Sequence, residues 1–249
     1  MKKTCLYLIA SILLSISINA QDAREIVKKA DAKMRGEESS FSIMNMQIIR
    51  PAWERTISFK SWTKGTIYSL AIITSPAKEK GQAFLKHGNE MWNWNPVINR
   101  MIKLPPSMLS QGWMGSDFTN DDLLNESSII VDYNHTLRGS ETISGKDCFV
   151  VQLIPKDDAG VVWGKLILWI TKDDDLQLKA EYYDEDNYLV KTETGSEIRN
   201  MNGRVIPTRF ELVPADKKDH KTVVTLEEVK FNIPIQENFF SQQNMKQVK

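Results

Sequence analysis

The run "LQLKAEYYDEDNYLVKTETGSEI" (176–198) decides the fold class. Leu176, Leu178, Ala180 and Tyr182 alternate with Gln177, Lys179 and Glu181. That period of two marks a strand with one apolar and one polar face. "EDN" (185–187) is a hairpin-turn sequence, and "YLVKTETGSEI" (188–198) is a second strand-like run. The pattern recurs after the turn "NMNG" (200–203), where Ile206, Phe210 and Leu212 oppose Arg209 and Glu211. Working outward, strand-like runs fall at 53–59, 68–75, 82–87, 90–95, 97–104, 128–137, 148–154, 161–170 and 221–231. Pro76, Gly81, Gly88 and Pro96 separate the early ones. Ten or more strands with turn signals at this spacing predict a mainly β chain with an antiparallel sheet or barrel. A sheet this large with one wet face must curl round its dry face.

Two helices are available to cover that face. "DAREIVKKADAKMRG" (22–36) places Ala23, Ile26, Val27, Ala30 and Met34 on one stripe. Asp22 and Glu25 form a capping-box pattern at its start, and Gly36 supplies a stop. The second helix is expected near 117–127. Asp117 is placed to cap a helix starting at Phe118, and Asp121 and Asp122 suit its first turn.

The first twenty residues read differently. "MKK", the apolar run "CLYLIASILLSISI" and the closing "INA" form a secretory signal peptide with the cut after Ala20. The expected organisation is therefore a signal peptide over 1–20 and one domain over 21–249, exported to the periplasm as a monomer. The full chain is neutral, with 32 basic against 32 acidic residues, which argues against nucleic acid as a partner. After processing Cys148 is the one cysteine left, so no intramolecular disulfide is expected.

No catalytic constellation appears. His87, His135 and His220 have no metal spacing, and no Gly-x-Ser-x-Gly or phosphate loop is present. No cofactor or metal is expected, and the chain is not read as an enzyme. A hydrolase using Asp117, Asp121 or Asp122 is a minor alternative.

The segment "LPPSMLSQGWMGSDFTNDDLL" (104–124) has loop residues and yet carries Met108, Leu109, Trp113, Met114, Phe118, Leu123 and Leu124. Trp92, Trp94, Met91 and Met101 lie just upstream. Methionine adapts to irregular or variable apolar partners. This composition suits a movable cover over an apolar hollow, and equally suits ordinary core packing under a lid. On strand 53–59, Trp53, Arg55, Ile57 and Phe59 share the dry parity.

"GNEMWNWNPVINRMIKLPPSMLSQGWMGSDFTNDDLL" (88–124) resembles the outer-membrane lipoprotein-sorting proteins, the LolA-like periplasmic carriers. "RPAWERTISFKSW" (50–62), 161–192 and the closing "ENFFSQQNM" are similar to the same family. The resemblance implies an unclosed, strongly curved antiparallel sheet whose concave face receives acyl chains, with helices plugging its mouth. It implies ligand-binding roles for Trp53, Arg55, Ile57, Phe59, Trp92, Trp94, Met101, Met108, Leu109, Trp113, Met114, Phe118 and Leu123. An early-strand arginine helps hold the lid shut in a carrier of this superfamily. Arg55 is the nearest candidate here, and a rim salt bridge is the competing role. The implied cargo is the acyl chain of a lipoprotein or related lipid, with an inner-membrane transporter and an outer-membrane acceptor as partners. Some relatives are associated with lipid or terpenoid export pumps, so an accessory protein that hands a sterol-like ligand to a membrane transporter is the alternative.

Overall fold

The computed structural model describes residues 16–88, 90–124, 129–157 and 159–248, with the side chains of 16–22, 106, 123 and 124 left aside. Helix α1 (Ile16–Arg35) is followed by β1 (Ser39–Arg50), β2 (Trp53–Lys64), β3 (Tyr68–Ser75), β4 (Ala83–His87), β5 (Glu90–Asn95) and β6 (Arg100–Lys103). A crossing segment carries two 3-10 turns, Pro106–Met108 and Trp113–Gly115, and the short helix α2 (Asn120–Leu124). The second half is all strand: β7 (Tyr133–Ile143), β8 (Lys146–Pro155), β9 (Lys165–Thr171) and β10 (Gln177–Tyr183). It ends with β11 (Leu189–Met201), β12 (Arg204–Pro214) and β13 (Lys221–Phe231).

These thirteen strands form one antiparallel sheet in the order β6-β5-β4-β3-β2-β1-β13-β12-β11-β10-β9-β8-β7. Each strand pairs with its chain neighbours except at one junction. β13 pairs with β1, so the first and second halves join through the ends of the chain. β6 and β7 are the two edges, and residues 104–132 connect them. The sheet is a barrel opened at one seam, and the chain that bridges the seam is the candidate lid. Bulges interrupt the β1–β13, β2–β3, β7–β8, β9–β10 and β10–β11 ladders. Each bulge bends its strand and increases the local twist, which is how so long a sheet wraps.

Strand alternation places two apolar layers. Met46 and Ile48 of β1, Ile57 and Phe59 of β2, Ala71 and Ile73 of β3, and Phe84 of β4 point to the concave side, where they pack with Trp113 and Phe118. Leu70 and Ile72 of β3 and Ala83 and Leu85 of β4 point the other way. That outer face is not left to water. The C-terminal segment lays Phe239, Phe240 and Met245 over it, together with Trp62, Trp92 and Trp94. β3 is therefore buried on both faces, which is why "YSLAIITS" reads as a continuous apolar run instead of an alternating one. The expectation of one uniformly wet face is corrected at this patch.

α1 buries Ala23, Val27 and Ala30 against Val151, Leu153, Leu166 and Leu168, so the expected stripe is the packed one. It stops at Gly36, whose φ of +83° and N–H to the Ala32 carbonyl (2.9 Å) form the C-terminal turn. Its beginning differs from the expectation. The helix extends upstream past the cut expected after Ala20, with Asp22 and Glu25 within its span. Residues 1–15 of the expected leader lie outside the described residues. The sheet also starts one strand earlier than 53–59, with β1.

Candidate functional site

A cavity of about 280 Å³ lies between the concave face, α1 and the crossing segment. Its walls change character along the strands. Toward the β1–β2 turn they are apolar: Met44, Phe59, Ala71, Phe84, Phe210 and Val224, with Trp113 and Phe118 from the crossing segment. On the far side Leu166, Leu168 and Tyr182 continue this surface. Toward the opposite end of the sheet the same faces carry hydroxyls: Ser40 and Ser42 of β1, Ser61 and Thr63 of β2, and Ser69 of β3. Asp31 and Arg35 of α1 close that end. Burial raises the Asp31 carboxyl above its ordinary value, against the opposing pull of Arg35.

The crossing segment is a compact loop held by its own backbone. Trp113 N–H donates to the Phe118 carbonyl (2.7 Å), Asn120 N–H to Gln111 (2.9 Å) and Asp121 N–H to Leu109 (3.0 Å). The Asn120 side-chain amide donates to the Met108 and Gln111 carbonyls. Met114 (φ +53°) and Gly115 (φ +80°) are both left-handed, a conformation that costs a non-glycine residue about 1–2 kcal/mol. The double turn aims Gly115 O at the sheet rim. Trp113 is 1% exposed and stands edge-on to Phe59 and Phe84, each ring centroid 5.2 Å away.

Two buried ion pairs fasten this lid. Arg50, the last residue of β1, donates to both carboxylate oxygens of Asp117 (2.9 and 3.0 Å) and to the Gly115 carbonyl (3.1 Å). Thr222 of β13 completes the set, its hydroxyl donating to Asp117 Oδ2 (2.7 Å) and accepting from Asp117 N–H (3.0 Å). The Arg50 and Asp117 side chains are 9% and 7% exposed. The second pair is Lys191 of β11 with Asp122, 3% and 8% exposed. Lys191 Nζ sits 4.5 Å from the ring centroids of both Trp163 and Tyr182. Trp163 Nε1 donates to the other oxygen of Asp122 (3.0 Å). Asp122 Oδ2 also accepts from Thr119 N–H (2.7 Å), and Thr119 Oγ1 accepts from Asp122 N–H (3.0 Å). That reciprocal capping box starts α2. Thr119 is thus the cap, and Asp117 is not: its carboxylate is committed to Arg50.

The structure brings some of the sequence-predicted site residues together and separates others. Phe59, Trp113 and Phe118 line the cavity, and Ile57, Leu109 and Met114 pack in the layer around them. Met108 is half-buried in the lid. Leu123 falls in α2, with its side chain outside the described residues. Trp92, Trp94 and Met101 lie on the outer face under the C-terminal segment. Trp53 is half exposed at the rim, its ring 5.8 Å from the Arg50 guanidinium. Arg55 does not reach the lid; it faces Glu79 at 3.5 Å on the β3–β4 turn. Arg50 makes the lid contacts instead.

Arg50, Lys191 and Trp163 are absent from the sequence-based set. Their local signals are weak: Arg50 precedes a turn at Pro51, and Lys191 sits on a strand whose neighbours alternate. Only the union of β1, β11, the lid and the 156–164 loop reveals them.

A family model described as "Uncharacterized protein" matches residues 65–247. No curated protein matches the chain. Three solved structures superpose over nearly their whole length. A DUF1329 family protein from Desulfovibrio piger has TM-score 0.83 at 23% identity, over 91% of this chain and 99% of its own. A putative outer membrane lipoprotein-sorting protein domain from Vibrio parahaemolyticus has TM-score 0.81 at 23% identity, over 92% and 100%. A LolA superfamily protein from Nitrosomonas europaea has TM-score 0.77 at 27% identity, over 89% and 98%.

Proposed function

We propose that this chain, a member of the family whose model, described as "Uncharacterized protein", matches residues 65–247, and similar to a LolA superfamily protein, is a periplasmic carrier that holds an acyl chain in the cavity under its lid. The observation that carries this reading is the cavity itself: about 280 Å³ of space walled by Phe59, Phe84, Trp113, Phe118, Phe210 and Leu168. A core built only for stability packs to crystal density and leaves no such space. Pockets for small molecules begin near about 300 Å³ and are mostly apolar, as this one is.

The energetics suit reversible loading. Each methylene taken from water contributes about 0.8 kcal/mol, so about ten of them gain about 8 kcal/mol. Loading must displace the lid, which is held by the two ion pairs as well as by the packing of Trp113 and Phe118 against the concave face. Opening exposes Arg50, Asp117, Lys191 and Asp122 to water, which solvates charges well and so offsets part of the lost attraction. Such a lid opens at moderate cost, and cargo that fits the open form shifts the population toward it. The leader pattern at 1–20 supports export, and the acceptor in this reading is the outer membrane. No bond is made or broken in this cycle.

The test is native mass spectrometry of the exported protein purified without detergent and then mixed with a total lipid extract. A complex heavier by one lipid or lipoprotein acyl moiety is the expected result. A folded protein that never gains mass contradicts the reading.

A further inference from the structure

The antiparallel meander puts six turns on the rim where the lid is fastened: 51–52, 76–82, 96–99, 156–164, 184–188 and 215–220. The two sides of this rim differ in chemistry. β2 through β6 are consecutive neighbours, so the 51–52, 76–82 and 96–99 turns lie side by side. The last two are in contact: a Cβ on Gly81 would meet Pro96 at 3.3 Å. At their tips Val97 and Ile98 are 73% and 55% exposed, with Trp53 half exposed on the neighbouring turn. Lys78 and Lys80 on the adjoining turn and Arg100 at the start of β6 are exposed as well, against one exposed acid, Glu54, next to Trp53. The one acid of the 76–82 and 96–99 turns, Glu79, is turned inward to Arg55. On the other side of the rim the 184–188 turn carries Asp184, Glu185 and Asp186; the 156–164 turn has Lys156 next to Asp157, and the 215–220 turn is mixed, with Asp216 and Asp219 beside Lys217 and Lys218. Exposed apolar residues occur there too: Tyr188 and Leu189 beside those acids, and Val213 near the end of β12.

From this asymmetry we propose that the 76–82 and 96–100 tips, with Trp53, dock the protein on an anionic phospholipid surface. Aliphatic tips flanked by cations match the headgroup boundary: the aliphatics enter the acyl edge and the cations stay with the phosphates. Three exposed apolar residues, Val97, Ile98 and Trp53, are few beside the roughly 20–30 residues a side of a stable protein interface. The acidic 184–188 turn on the opposite side is repelled by the same membrane, so contact tilts the seam and its lid relative to the lipid. Among the described residues no helix is long and apolar enough to cross a membrane, so this contact is peripheral. The purpose of the contact rests on the carrier reading, while its chemistry does not.

The experiment is vesicle flotation of the exported protein, with its N terminus read by mass spectrometry and identical in every variant. Vesicles of phosphatidylcholine are compared with vesicles of phosphatidylcholine and phosphatidylglycerol at three to one. The wild type should bind the anionic vesicles at least about tenfold more tightly, because each cation near a charged surface adds to the attraction. Val97→Asp with Ile98→Asp should lose binding to both. Lys78→Glu with Lys80→Glu should lose only the preference for phosphatidylglycerol. Uptake of a fluorescent fatty acid without vesicles should be unchanged in all of them. Binding that neither double variant alters, or no binding by the wild type, overturns the proposal. So does capture of a periplasmic protein through Val97 and Ile98 in the absence of vesicle binding. Vesicle binding as expected with no fatty-acid uptake overturns the carrier reading and leaves the docking tip standing.

Discussion

Residues 91–101 and 104–124 are alike in composition and opposite in role. Both are rich in tryptophan and methionine, and both are interrupted by proline. In the first, Trp92, Trp94 and Met101 meet Phe240, Met245 and Ile235 of the chain's own C-terminal segment on the outer face. In the second, Trp113 and Phe118 meet a cavity on the inner face. One apolar surface is sealed by the protein itself, and the other borders space. Apolar residues on irregular chain therefore do not identify a ligand site until the facing partner is known. The fastening differs too. The sealed patch rests on aliphatic and aromatic contact with hydrogen bonds at its margin, from Tyr68 Oη to Glu237 (3.1 Å) and from Lys64 Nζ to the Ile235 carbonyl (2.8 Å), whereas the lid adds two buried ion pairs to the packing of Trp113 and Phe118.

That contrast makes the two regions separable by mutation. Phe240→Ala empties the sealed patch and should cost about 3–5 kcal/mol of global stability, read as a lower denaturant midpoint, with fatty-acid uptake retained. Asp117→Ala leaves Arg50 buried without its partner, a loss of about 3–5 kcal/mol. Here the loss should be local: amides 113–122 should exchange faster while those of β1 and β13 keep their protection. Equal acceleration across the sheet would mean that the lid is core. Trp113→Asp with Met114→Asp should abolish uptake and leave the sheet intact, and unfolding of the sheet would carry the same contrary message. Lys191→Met is milder, because Asp122 keeps the Trp163 and Thr119 donors; about 1.5–3 kcal/mol of lid stability should go, with uptake faster and not weaker.

How far this contrast could be read from the sequence depended on which contacts were local. Most strands after Trp53 were legible because they have turn residues at their ends and one polar face, and β3, buried on both faces, because of its short continuous apolar run between turn residues. β1 was not, since "SSFSIMNMQIIR" turns Ser40 and Ser42 toward the cavity and leaves Phe41 beside Trp62 on the outer side. Polar residues facing inward invert the alternation that marks a strand. The lid was legible as an anomaly, apolar residues among loop residues, but its fastening was not. Arg50 and Arg55 share a strand pair and differ in reach by position along it, and no local pattern distinguishes them. The parity of Trp92 and Trp94 likewise needs the register of β4 and β5 before it says which face they take.

The smallest expected effect is a pH dependence where the lid rejoins the sheet. His135 is buried on β7 and its Nε2 lies 2.7 Å from the Ile129 carbonyl. Burial lowers its pKa below the ordinary value, with the charges of Arg24 and Lys156 acting the same way against the hydrogen bond to Ile129. The folded chain thus binds that proton less readily than the unfolded chain. Its contribution is present above about pH 6.5 and is lost as pH falls toward the depressed value. Thermal midpoints at pH 7.5 and 5.5 should fall less far apart in His135→Gln than in the wild type.

The central claim is tested most directly by a crystal structure of the protein with a fatty acid brominated near its tail, using the anomalous signal of bromine to place the chain. The peak should fall among Phe59, Phe84, Trp113 and Leu168, with the lid still fastened or displaced as a unit. A peak instead in the outer groove beside Tyr68, Trp92 and Phe240, with the inner cavity unfilled, would contradict the account.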